Sequence, residues 1–280
     1  MKLVHTLLFF LRPEKNAEDL VLAQKNLKSL EKSSYTTVVV YNQGPLSNQD
    51  VETFLRQFSL ECVVIGNAVN VGISAGRQHC FEYVWDNYPD ADFISEIHMD
   101  MIFAPHWEDA VLDCLNGSNE PVMSVGIVDQ SGAMPFLDDT PRKIPQDIKD
   151  FDDFLAGLCC DKIDRGFTHP CIHNAGILKE TGGYDSRFLK GKQCFEDDSL
   201  LLGYYYYYGT KADWHPKVNF NSVVYHAVAL QRLDLRDSIL PNLSGLMKQY
   251  GAMGLKSLSH LHECSWHKRF FEKKFNEMTL

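Results

Sequence analysis

Residues 96–107, EIHMDMIFAPHW, place His98 and Asp100 two positions apart at the end of an apolar run. An imidazole and a carboxylate with open positions around them suit a divalent cation. Mixed nitrogen and oxygen favours Mn²⁺, whereas Mg²⁺ takes mostly oxygen and water. The same Asp at a strand end could instead cap a helix starting at Pro105. A second group, CFEDDSLLLG, puts Glu196, Asp197 and Asp198 at a helix start, where the helix dipole stabilises negative charge whatever its use. Successive helical residues point about 100° apart. One carboxylate can therefore face a cleft as a general base while its neighbour anchors the backbone. His226 ends the extended run NSVVYHA; it is a structural histidine unless Asp100 and a metal lie beside it. In NAVNVGISAGRQ, Asn70-Val71-Gly72 forms a tight turn whose backbone can approach a ligand. Arg77, one turn into the next helix, could fork a phosphate. There is no G-x-G-x-x-G and no Walker lysine, which removes the best evidence for dinucleotide or P-loop binding.

Two further sets could hold zinc: His169, Cys171 and His173, alternating on a strand, and His260, Cys264 and His267 on a helix. Neither has the usual zinc spacing. Tyr204 to Tyr208 could stack on sugar rings, although five consecutive tyrosines on a helix point all round it and some must simply pack.

The elements that position these residues alternate regularly. Apolar strands are expected at 3–11, 36–41, 62–66 and 92–98, with helices at 17–30, 47–58 and 75–85 between them. Short strands alternating with helices make βαβ units and a mostly parallel sheet covered on both faces, which binds ligands at the carboxyl ends of its strands. The strand ends to watch are Arg12-Pro13, Asn42-Gln43-Gly44, 67–72 and 98–100. A fifth strand is expected at 121–128, then a long loop, 129–148, of the kind that forms lids. Beyond it come a helix at 151–158, an extended stretch at 167–178, a helix at 196–208, a strand at 218–226 and helical periodicity from 240 to the end.

In this order the motifs resemble the GT-A glycosyltransferases, in particular the inverting family-two group. The stretches are TTVVVYNQG, NVGISAGRQ, DFISEIHMDMIFAPHW, GILKETGGYDSRF, CFEDDSLLLGYYYYYG and VVYHA, spanning roughly residues 2–230. The resemblance implies an α/β, Rossmann-like GT-A domain at 1–235, with a nucleotide-sugar half at 1–128 and an acceptor half at 129–235. A helical C-terminal extension follows at 236–280. It implies a metal, Mn²⁺ or Mg²⁺, on Asp100, with His98 in place of the first Asp of the DxD motif and His226 completing the set. It implies Asp197, paired with Glu196, as general base, and a donor site that includes Arg12, Asn42, Asn70, Gly72 and Arg77. The activity implied is transfer of a sugar from a nucleotide-sugar donor to a glycan, lipid-linked or protein hydroxyl. Three departures stand out: Tyr41 where a base-contacting Asp often lies, His98 for Asp, and Gly203 near the position of a missing Arg.

Competing readings are a sugar-nucleotide-binding or scaffolding protein without turnover, a nucleotidyltransferase, which would want a Gly-rich basic loop after the first strand, and a zinc protein. The formal charge of −10, from 27 Lys and Arg against 37 Asp and Glu, argues against nucleic-acid polymers but not against a nucleotide carried on a metal. Before Arg236 the charge is −13 and from there on it is +3, so the tail could touch an anionic membrane or another subunit as a homo-oligomer contact; solvated helix faces explain it equally. Eight scattered cysteines with no CxxC pair are expected to be reduced thiols in a cytoplasmic protein.

Overall fold

The computed structural model describes residues 1–209, 214–228 and 236–279. The expected domain boundary at 235 lies outside them. The chain runs β1 (Leu3–Phe9), α1 (Asn16–Leu30), β2 (Thr37–Asn42), α2 (Asn48–Leu55), β3 (Glu61–Gly66), α3 (Ile73–Asn87), β4 (Phe93–Ile97), β5 (Met101–Ile102), α4 (Asp109–Asn116) and β6 (Val122–Asp129). It continues with α5 (Phe151–Ala156), β7 (Ile163–Arg165), β8 (Cys171–Asn174), α6 (Ala175–Thr181), α7 (Glu196–Tyr207), β9 (Lys217–His226), α8 (Arg236–Leu261) and α9 (Ser265–Thr279).

Local chemistry sets these bounds. The β-branched run of β2 extends readily. The Ser47 hydroxyl accepts from the Asp50 amide at 3.2 Å and caps α2. Asn174 caps α6 through the Ile177 amide, and Gly182, left-handed at φ 89°, stops it. Residues 175–178, the end of the stretch expected to be extended, are therefore helical: a side-chain cap and a glycine stop outweigh the extended pattern.

One sheet carries everything, in the order β3-β2-β1-β4-β8-β6-β9-β5, with β7 also on β9. β1, β2, β3 and β4 pair in parallel, β8 is inserted antiparallel between β4 and β6, and β6 and β9 are again parallel. Six strands thus point the same way, as a mostly parallel α/β sheet requires. Side chains alternate between two cores. Leu7, Phe9, Val38 and Val40 face a cluster under α1, α2 and α4, while Val4, Val39 and Tyr41 face one under α3, α6 and α7.

The C-terminal helices belong to that second cluster. Leu243, Leu246, Leu258, Leu261 and Phe271 pack with Phe81 and Tyr204. Of the tail's cations, Lys268 pairs with Glu263, and Lys273 and Lys274 pair with Glu277, so solvated, paired helix faces account for much of its basic excess. Among the described residues no helix is long and apolar enough to cross a membrane. The 129–148 loop tucks Met134, Phe136 and Leu137 against Phe151 in a third cluster, and none of its residues lines the main cavity. Pro105 opens no helix: α4 starts at Asp109.

His5 on β1 is fully buried, its ring nitrogens against the Ser95 hydroxyl at 2.7 Å and the Tyr35 carbonyl at 3.0 Å. Burial pushes its pKa down to about 4, against the opposing Tyr35 carbonyl. The folded value lies below the unfolded one, so the folded state binds fewer protons between them. The stability this neutral imidazole contributes is complete above the unfolded pKa and is lost as pH falls from there through about 4. Urea denaturation at pH 7 and pH 4 should show the wild type losing about 3 kcal/mol more than His5→Gln over that interval; parallel losses would refute the assignment.

Candidate active site

The carboxyl ends of β1 and β4 open into a cavity of about 280 Å³. One wall is the turn after β4. Asn26, buried on α1, donates from its amide to the carbonyls of His98 at 2.7 Å and Met101 at 3.1 Å and holds the turn closed. β5 then pairs antiparallel with the end of β9, with Met101 opposite His226, and the Ala227 amide donates to the Asp100 carbonyl at 3.0 Å. That register brings residues 126 apart in sequence into contact: His226 Nε2 lies 3.4 Å from Asp100 Oδ1. The His98 and His226 rings meet edge-on at 5.1 Å. Ligand atoms of His98, Asp100 and His226 all lie within 4.8 Å of one another.

These residues fit a divalent cation. Burial first, then the neighbouring His169, His226 and Arg77, hold the His98 pKa well below its ordinary value, leaving a neutral imidazole as metal ligation requires. The buried Nδ1 of His226 has no hydrogen-bond partner among the described residues. Two imidazoles and one carboxylate suit Mn²⁺ better than Mg²⁺.

The facing wall is the start of α7. Glu196 and Asp197 both line the cavity. Asp197 Oδ1 lies 3.8 Å from His169 Nε2, and His169 stacks on His98 at 4.7 Å. Desolvation, then Glu196, Glu96 and Asp198, push the Asp197 carboxyl well above its usual range. Its side chain keeps 42% exposure, on the cavity it lines. Burial likewise pushes His169 down to about 3, against the pull of Glu96.

Beneath the cavity is a buried polar floor. Arg77 Nε lies 3.1 Å from Glu96 Oε2, both side chains 1% exposed. Its other nitrogens donate to the carbonyls of Thr6 at 2.7 Å and Ile97 at 2.6 Å. His173 Nε2 is 2.8 Å from Glu96 Oε1, the Tyr204 hydroxyl is 2.8 Å from His173 Nδ1, and the Tyr184 hydroxyl donates to Glu96 at 3.0 Å. Burial alone would raise the Glu96 carboxyl; the hydrogen bond from His173 and the charge of Arg77 more than reverse it, to about 2.

The expected site residues divide accordingly. Asp100, His98, His226, Glu196, Asp197, Asn70 and Arg77 all line the cavity. The Arg77 guanidinium, however, is engaged by Glu96 and two strand-end carbonyls, so it is not placed to fork a phosphate. The Asn70 side-chain oxygen accepts from the Gly72 amide at 2.9 Å and closes the turn. Gly72, at φ 89°, is a close approach: a Cβ there would lie 2.8 Å from Lys192 Cα. Arg12 and Asn42 are not on the cavity wall. Arg12 is held by Asp19 through its backbone amide at 2.8 Å and its guanidinium at 2.5 Å. Asn42 clips its own turn, donating to the Leu46 carbonyl at 2.9 Å and accepting from the Gly44 amide at 2.9 Å.

Glu96, Lys192 and Gln193 line the cavity without having stood out in the sequence, whereas Gln43 lies at one of the strand ends to watch. A lone acid inside the apolar run FISEI was the only available signal for Glu96. Of the first zinc set, His169 belongs to the cavity while Cys171 and His173 join Glu96 in the floor. His260, Cys264 and His267 form no ligand group among the described residues.

No protein-family model and no curated protein matches the chain. Solved structures do. S. aureus TarS 1–349 in complex with UDP-GlcNAc matches 99% of this chain and 72% of its own, with TM-score 0.57 and 10% identity. The same protein in complex with UDP matches 99% and 71%, with TM-score 0.55 and 12% identity. The chain has the GT-A fold. The longer S. aureus TarS structure is matched over 43% of its length, at TM-score 0.51 and 12% identity. At these identities the likeness carries the GT-A architecture, and the chemistry rests on the cavity itself.

Replacing Glu96 by Gln leaves the buried Arg77 without its counter-ion. The expected cost is about 3–5 kcal/mol, as for other broken buried pairs, read as a drop in the urea midpoint at neutral pH. An unchanged midpoint would show that the pair does not hold the floor.

Proposed function

We propose that the protein is a metal-dependent glycosyltransferase that moves a sugar from a nucleotide-sugar donor to an acceptor hydroxyl with inversion, using Asp197 as general base. The observation that carries this is one cavity, at the strand ends of a GT-A sheet, with His98, Asp100 and His226 on one wall and Asp197 on the other. The UDP-GlcNAc and UDP complexes of TarS support a nucleotide-sugar donor.

A divalent cation held by His98, Asp100 and His226 would supply the positive charge that stabilises a departing diphosphate. The chain's own groups do the rest. Asp197 takes the acceptor's proton as that oxygen bonds to the sugar carbon; the bond from that carbon to the phosphate oxygen breaks on the opposite face, and its electron pair leaves with the diphosphate. A carboxyl raised above its ordinary range is the stronger base near neutral pH. Asn70 and Gly72 shape the turn that the donor lies against. Tyr41 stacks on His79 at 5.4 Å, away from the cavity wall, so no carboxylate at that position reads the base.

A non-catalytic binding protein is the second reading, favoured by one observation, the engagement of Arg77 within the floor. Turnover separates the two. Thermal shift with UDP-, GDP-, CMP- and dTDP-sugars, each with and without Mn²⁺, should reveal a donor that stabilises the chain only when metal is present. Asp197→Asn should retain that stabilisation while losing about 10²–10⁴-fold in release of the donor's nucleotide. Undiminished release would remove Asp197 as base, and no release by the wild type from any donor would favour the binding protein.

A further inference from the structure

The end of α7 that carries Asp197 does not fix itself. Its N-cap residue is Phe195, left-handed at φ 62° and without a side-chain cap, and Cys194 before it is also left-handed at φ 85°. Such a start is unfavourable for side chains with a Cβ and must be held from outside. The C-terminal helices hold it.

Asn242, 1% exposed on the second turn of α8, accepts from the Gly191 amide at 2.5 Å and donates to the carbonyls of Gln193 at 3.3 Å and Cys194 at 2.7 Å. The Ser238 hydroxyl, one turn earlier, accepts from the Lys192 amide at 3.1 Å. From the other side, the Lys192 carbonyl accepts from Ile73 at 2.8 Å, where Gly72 lets the two chains touch. Beyond Asp197, His262 at the end of α8 lies 2.5 Å from the Asp198 carboxylate. The His262 ring stacks with His267 at 4.8 Å and with Phe271 at 5.5 Å. Phe195 stacks on Phe270 of α9 at 5.8 Å. The tail thus grips residues on both sides of Asp197 and leaves its carboxylate facing the cavity.

We propose that α8 is a working part of the active site, in which Asn242 and His262 are positioning residues that bracket Asp197 and fix its direction toward the acceptor. This rests on Asp197 acting as the base. Neither residue lines the cavity; His262 acts only through Asp198, so its loss should leave donor affinity alone and slow the step that needs an aligned carboxylate, while loss of Asn242 also loosens Gln193 of the wall.

The test measures release of the nucleotide (nucleoside diphosphate from UDP-, GDP- and dTDP-sugars, CMP from CMP-sugars) with Mn²⁺, for wild type, Asn242→Ala, His262→Ala and His262→Gln. The first two variants should lose about 10–100-fold in kcat, with donor KM of His262→Ala within about twofold of wild type. Gln can still donate to Asp198, so His262→Gln should recover most of the loss. Hydrogen exchange at residues 191–199 should quicken in both alanine variants. Wild-type kcat in a folded Asn242→Ala or His262→Ala chain would overturn the inference and leave the glycosyltransferase reading intact. A rise in KM at constant kcat would overturn it too, by assigning these residues to donor binding. If Asn242→Ala does not fold, Ser238→Ala and the His262 pair decide alone. Absence of release by the wild type from every donor would bring down the base assignment, and this inference with it.

Discussion

The ion pair between Arg77 and Glu96 is the constraint on which the site is built. Both side chains are buried, and a charge in that setting is tolerated only when paired and hydrogen-bonded. The pairing is met from several elements: α3 supplies the arginine, β4 the glutamate, the neighbouring strand β8 the histidine that donates to it, and Tyr184 a hydroxyl. The arginine also closes the ends of β1 and β4 through the Thr6 and Ile97 carbonyls. Those are the strand ends from which the cavity opens. A floor made this way is rigid, because moving any one member leaves another buried and unsatisfied.

The same pair explains where sequence reasoning worked and where it did not. The parallel half of the sheet was legible because β-branched runs, amphipathic helices and the Ser47 cap are local signals. Asp100, His98, Asp197 and His226 stood out because each sits at an element's end, where side chains meet ligands. Arg77 was legible as a residue but not as a partner. Nothing local distinguishes an arginine that will face a phosphate from one that will face a glutamate nineteen positions later across the sheet. His169 looked like one of three alternating ligands, yet the strand covers only Cys171–Asn174, so His169 escapes the alternation and reaches His98. Residues 175–178 looked like the end of the extended stretch because the cap and stop at Asn174 and Gly182 are single residues beside the apolar AGIL.

The packing of the tail was not legible for a related reason. From composition, residues 236–280 are a basic appendage. Their apolar positions nevertheless fill the core cluster shared with Phe81 and Tyr204, and a buried asparagine in α8 is costly unless all its polar atoms find partners. Asn242 finds them in the backbone of 191–194. Polar satisfaction therefore ties the last helices to the loop before Asp197, a link that no spacing rule reveals because the partners are main-chain atoms some fifty residues away.

Charge closes the argument. The cavity wall carries two cations, Arg77 and Lys192, and four carboxylates, Glu96, Asp100, Glu196 and Asp197. Arg77 and Glu96 neutralise each other, and the histidines His98 and His169 are held neutral by burial. The remaining wall is acidic, which repels a diphosphate by the Coulomb argument at these short distances. On the function proposed above, an anionic donor would bind there as part of a cation complex. Placing His98 rather than a second aspartate beside Asp100 lessens that repulsion while keeping a nitrogen ligand. The overall acidity of the chain and the proposed use of a nucleotide are consistent on that ground, because the acid that disfavours a polyanion is the same acid that would hold the metal.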